Sequence, residues 1–245
     1  MKDGRTHLAY KAEHAIDLDS GLLLAATIHH GDRADSESLT ESLVASQANL
    51  IRSGSETEIR EVPADKGYHK GEEIVAREDA GISVVVPKPM TSNAAARGQF
   101  DKADFAYDRD LDIYVCPAGE NLTYRFTGPQ DGKAIRTYWS GACADCAIKD
   151  KCTTSKERRV RRWEKEDVLE RVQERLDADP AQLAVRSMTV EHPYGTIKSW
   201  MGATHFKMRR LKNVATEMAL HVLAYNMTRV MKIMGIPAMI AAMRA

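Results

Sequence analysis

The chain is predicted to be a mixed α/β protein, and three observations carry the prediction. The first 89 residues run strand, strand, helix, strand, helix, strand. Residues 90–156 change character and hold all four cysteines. The residues after them carry apolar side chains at helical spacing. Two adjacent strands followed by strand–helix–strand alternation make a mixed sheet with helices packed on its faces.

Each element has its reason. His7 to Asp17 alternates, with Leu8, Tyr10, Ala12, His14 and Ile16 on one side, which is a strand pattern. Leu18-Asp19-Ser20-Gly21 is a turn, and Leu22 to His29 is an apolar run of strand length, so the two form a hairpin. Ser36 is the expected cap of a helix from Glu37 to Ser53, stopped by Gly54. Glu58 to Pro63 is a short strand, Glu72 to Ala80 a helix, and Ile82 to Val86 a strand ended by Pro87 and Pro89. Residues 90–156, with turn pairs such as Gly128-Pro129, are expected to be an inserted, loop-rich subdomain. Helices are expected over 157–177, 186–201 and Leu211 to Met234, the last ended by Gly235. The domain plan is then 1–89, the insertion 90–156, helices 157–235 completing the first part, and a tail 236–245.

Composition excludes several classes. Lys+Arg and Asp+Glu number 35 each, and 43% of residues are hydrophobic, enough for a core. The apolar run Ile233 to Met243 is 11 residues long and contains Gly235 and Pro237, whereas a membrane span needs roughly 20. No membrane association is expected. The start of the chain lacks an apolar leader, so the expected compartment is the cytoplasm. No Gly-x-Ser-x-Gly elbow and no phosphate-cradling Gly-x-x-x-x-Gly-Lys-Ser/Thr loop occurs. Charge is uneven: residues 1–90 hold 10 basic and 16 acidic side chains, residues 157–232 hold 15 and 10. Such a chain can hold cations at one place and phosphates at another.

Candidate chemistry lies in a few residues. Asp65 follows a strand end, where ligand sites of α/β sheets collect. Glu191 and Lys198 are seven apart and share a helix face. Cys116, Cys143, Cys146 and Cys152 are separated by 26, 2 and 5 residues. The Cys-Pro and Cys-x-x-Cys pieces suit a structural Zn²⁺ site; an iron–sulfur cluster or unligated thiols are the alternatives. Arg158, Arg159, Arg161 and Arg162 form one basic run, read as a helix start, and Lys207, Arg209, Arg210 and Lys212 form another. Such clusters suit DNA phosphates. Trp163 and Trp200 are either core residues or platforms for an unpaired base.

Read together, these pieces resemble the DDE transposases of bacterial insertion sequences, in the group with a Tyr-Arg-Glu-Lys signature around the last acid. The resemblance rests on His7 to Asp17, on Ala64-Asp65-Lys66-Gly67-Tyr68, on Val190-Glu191-His192-Pro193-Tyr194-Gly195-Thr196-Ile197-Lys198 and on Ala224-Tyr225-Asn226-Met227-Thr228-Arg229. The Glu-x6-Lys spacing fits; Arg186 departs, with four residues between it and Glu191 where three are usual. The resemblance implies a ribonuclease-H-like fold and an acidic site for Mg²⁺ or Mn²⁺ that cleaves and joins phosphodiesters. It implies Asp65 and Glu191 as catalytic, metal-binding acids. Lys198, Arg186, Lys207, Arg209 and Arg210 would be contacts to the transposon-end DNA. A homodimer, or co-assembly with an intact transposase, is implied as well. Strand 1 of that fold, with the first acid, has no counterpart ahead of the hairpin, so the expectation is an N-terminally truncated chain that is inactive alone. Asp17 at a turn and Asp3 at the chain start are poor substitutes. The alternative is a DNA-binding or transposase-inhibiting fragment without catalysis.

Overall fold

The computed structural model describes residues 9–89, 93–181, 189 and 191–244. The chain divides into two compact units, residues 1–88 with 171–245, and residues 89–170.

The first unit begins with the hairpin. β1 (Tyr10–Ile16) pairs antiparallel with β2 (Leu23–His30), with a register shift after Ala15. A 3-10 turn at Asp35–Glu37 precedes α1 (Leu39–Arg52). The helix starts later than Ser36 predicts. Ser38 occupies the cap position, is fully buried, and gives its hydroxyl to Glu13 Oε1 at 2.6 Å instead of capping. β3 (Glu61–Pro63), α2 (Gly71–Asp79) and β4 (Ser83–Val85) follow, with β3 and β4 parallel, so α2 is the crossover helix of a βαβ unit. Ile74, Val84 and Val86 are almost wholly buried around it. The hairpin and the β3–β4 pair are separate two-stranded sheets.

The second unit corrects the sequence reading. Its residues form a five-stranded antiparallel sheet in sequential order, β5 (Ala106–Asp108), β6 (Ile113–Val115), β7 (Asn121–Gln130), β8 (Lys133–Trp139) and β9 (Val160–Trp163). The turn residues are real, but the aromatics between them alternate. Tyr114, Tyr138 and Leu122 meet Phe105 and Val160 in one buried cluster. That inner face is enough to hold a meander.

β9 replaces the expected helix start at 157, and α3 runs over Glu166–Ala178. Val160 and Arg162 point inward and Arg161 outward. Arg162, 5% exposed, is tied to both Glu170 carboxylate oxygens and lies over the Tyr107 ring at 3.8 Å. A basic run mimicked a solvated helix because the compensating acid lies eight residues away.

The C-terminal part of the first unit holds α4 (Leu211–Met234) and, in place of the expected tail, α5 (Ile236–Arg244). The described part of the helix expected at 186–201 includes Glu191 to Gly195 and a π-helical turn over Thr196–Trp200. Ile197, Leu23 and Tyr225 form a buried cluster that joins this turn, the hairpin and α4.

Candidate functional site

A cleft of about 850 Å³ opens in the first unit. Lys11 to Asp17 of the hairpin line one side, Glu58 to Asp65 the other, and Tyr194 reaches it. It therefore separates one edge of β1 from one edge of β3, each of which belongs to a two-stranded sheet and pairs with a single neighbour.

Asp65 sits at this cleft, two residues past β3. Its exposed side chain caps the 3-10 turn Lys66–Tyr68 by accepting from the Lys66 amide at 2.6 Å. The placement at a strand's carboxyl end is the one the sequence predicts. Gly67 lies close against Asp35, since a Cβ there would stand 2.8 Å from Asp35 Oδ2 and displace that carboxylate. Asp35 in turn binds Lys11, which also pairs with Glu13 at 2.7 Å.

Glu191 and Lys198 are exposed. Tyr194 between them ties their segment to β1, donating to the Ala12 carbonyl at 2.9 Å and stacking on His14 at 4.2 Å. The Lys198 ammonium lies 5.8 Å from the centre of the Tyr194 ring. Burial, with help from the Lys198 charge, lowers His14 to about 4. Burial pushes the Tyr194 phenol up to about 12. Both ring nitrogens of His14 are buried without a hydrogen-bond partner.

Arg186 lies outside the described residues. Lys207, Arg209 and Arg210 are exposed in the loop before α4. The loop is fixed through its backbone: Glu217 accepts from the Lys207 and Met208 amides at 3.0 and 2.9 Å, and the Arg210 amide donates to Tyr10 at 3.1 Å. The side chains remain directed to solvent, as phosphate contacts require. Trp200 is 89% exposed, so it is no core residue. Trp163 is half-buried with Lys133 over its ring at 5.0 Å.

The sequence reading missed Glu13. This carboxylate is 2% exposed and takes hydrogen bonds from Ser38 and, at 3.4 Å, Ser42, with His29 3.8 Å away. A single charge in an alternating strand gives no signal that it faces inward. Asp17 is a turn residue, holding the Ser20 amide at 2.9 Å. Among the described residues no group of three or more His, Cys, Asp or Glu is placed to hold a metal ion. Glu191 is not among the residues lining the cleft that Asp65 borders.

In the second unit Cys116, Cys143, Cys146 and Cys152 are free thiols lining one small cavity of about 30 Å³, together with Phe105, Leu122 and Arg158. Burial raises the Cys152 thiol; Arg158 opposes this, and the other three cysteines add to it.

Comparison with known families decides the class. Residues 115–231 match the model of the transposase DDE domain. That stretch belongs to the DDE transposases. It contains Glu191, Lys198, Lys207, Arg209, Arg210 and all four cysteines, and Asp65 lies outside it. No curated protein and no solved structure matches the chain. The end of the matched stretch is informative. The Ala224-to-Arg229 segment is a docking device in which Asn226 brackets Leu23, Tyr225 donates to the Gly21 carbonyl at 3.2 Å and Arg229 to that of Ser20 at 2.6 Å. Gly21 (φ +68°) has no room for a side chain, since a Cβ would press on Arg229 at 3.1 Å. Transposases of this class work with divalent metal ions on DNA. Among the described residues no helix is long and apolar enough to cross a membrane.

Proposed function

We propose that the chain is part of the catalytic core of an insertion-sequence DDE transposase, with a ribonuclease-H-like first unit, acting in the cytoplasm on transposon-end DNA. The observation that carries this reading is the cleft. It lies between the edges of β1 and β3, with Asp65 at its rim, where the central strand of such a sheet would sit. Asp65 and Glu191 are the acids assigned to Mg²⁺ or Mn²⁺. The ion would supply Lewis-acid stabilisation of the attacking and leaving oxygens of a phosphodiester. Two carboxylates fit that role incompletely, since such sites are built from more acids than these two supply. Lys198, Lys207, Arg209, Arg210 and Arg186 hold phosphates and orient the DNA; the first four are exposed, and release of the DNA's counterions favours the contact. Any zinc belongs to the cysteines and is structural.

A second reading is favoured by the absence of a three-acid group among the described residues. The chain then binds DNA, or joins an intact transposase as a dimer partner, without cutting. One experiment separates the two. The purified chain is mixed with duplex DNA carrying the element's ends and Mg²⁺, beside Asp65→Asn and Glu191→Gln. Nicking by the unmodified chain and its loss in both variants supports the catalytic reading. Retention of DNA without nicking selects the binding reading. No DNA retention at all, together with no association with intact transposase in a pull-down, overturns both.

A further inference from the structure

We infer that Cys116, Cys143, Cys146 and Cys152 form a structural tetrathiolate zinc site whose charge is balanced by Arg158. Four cysteines from three separate stretches of chain converge on one cavity. Cys116 stands at the end of β6 in a tight Cys116-Pro117-Ala118-Gly119 turn. Its carbonyl accepts from the Gly119 amide at 2.8 Å and its amide donates to the Glu120 carbonyl at 3.0 Å. Cys143 and Cys146 lie in and just after a 3-10 turn, Gly141–Asp145, and Cys152 follows another, Lys149–Lys151. Turns of this kind present sulfur toward a common centre.

Arg158 supplies the second, independent observation. It lines the same cavity, and its Nε is buried with no hydrogen-bond partner. An orphaned buried donor calls for an acceptor. Four thiolates on Zn²⁺ carry a net double negative charge and accept N–H bonds at sulfur, which would satisfy this donor and offset part of the charge. A cluster of neutral thiols gives the guanidinium neither.

The four cysteines share the cavity, and no three of them are spaced as a metal-holding group. Zinc binding requires the segment carrying three of them to draw together. Between β8 and β9 it consists of short 3-10 turns outside the strand ladder, and a backbone bond from the Phe100 amide to Lys151 at 2.8 Å ties it down. A segment of about this size gains its order from the metal.

The test uses the full chain, produced with zinc and purified in reductant without chelator. The expected result is about one zinc per chain. A thiol-specific mercurial should release it as four thiols are titrated. Cobalt exchanged for zinc should show the visible bands of tetrahedral thiolate coordination, a readout that needs no variant to fold. Cys143→Ser with Cys146→Ser should lose the zinc, and Arg158→Met should hold it roughly 10-fold more weakly. Four freely titrating thiols with no zinc, a disulfide seen by mass, or iron with sulfide would each overturn the assignment. None of these readouts depends on DNA cleavage.

Discussion

Asn226 offers the sharpest test of how this fold is held. Its side-chain oxygen accepts from the Leu23 amide at 2.9 Å and its nitrogen donates to the Leu23 carbonyl at 2.9 Å. It thus behaves as a neighbouring strand for one residue of β2. Leu23 is 4% exposed, so water cannot replace it. Asn226→Ala removes two hydrogen bonds worth about 1 kcal/mol each, and the stranded amide adds roughly 1 kcal/mol or more. The expected loss is about 2–4 kcal/mol from the first unit. Asn226→Asp keeps the acceptor and loses the donor, so its loss should be intermediate. Native-state amide hydrogen exchange, read at Leu23 and along α4, measures this directly. The sheet unit, residues 89–170, serves as the internal control and should not change. Unaltered Leu23 protection, or a stability change below about 0.5 kcal/mol in Asn226→Ala, would refute the docking role.

Two further outcomes are expected. His14 is neutral in the fold because burial lowers it to about 4 from an ordinary 6.5. The unfolded chain then takes up the proton first as pH falls. Stability is full above pH 6.5 and declines down to about 4, by at most roughly 3 kcal/mol. His14→Phe keeps the stack on Tyr194 and should flatten that decline in a pH series of urea melts; an unchanged slope would count against it. In the second unit, Glu170→Gln should cost more than Arg162→Met. Glu170 is 34% exposed and can be rehydrated when Arg162 is lost, while Arg162 is 6% exposed and cannot when Glu170 is lost. The reverse order in denaturant melts would show that the pair is not the buried anchor of β9.

Much of the first unit was legible in the chain itself. The hairpin, α1, the βαβ unit and α4 all follow from local periodicity and Gly or Pro punctuation, because each buries a face whose spacing is written locally. Asp65 after a short strand, and the Glu191–Lys198 pair, were legible for the same reason. The second unit was not. Its strands are three to ten residues long and rich in turns, so loop and sheet look alike until the aromatic faces meet. β9 was hidden because its inward-facing Arg162 is neutralised by an acid on the next helix, which is a tertiary fact. Glu13 is buried for a similar reason, through Ser38 and Ser42 on α1. The sequence by itself determined the elements of the first unit. Only tertiary structure decided which charges turn inward, which cysteines share a cavity, and that β1 and β3 leave a cleft between them. Those outcomes depend on partners distant in the chain, and short-range patterning cannot encode them.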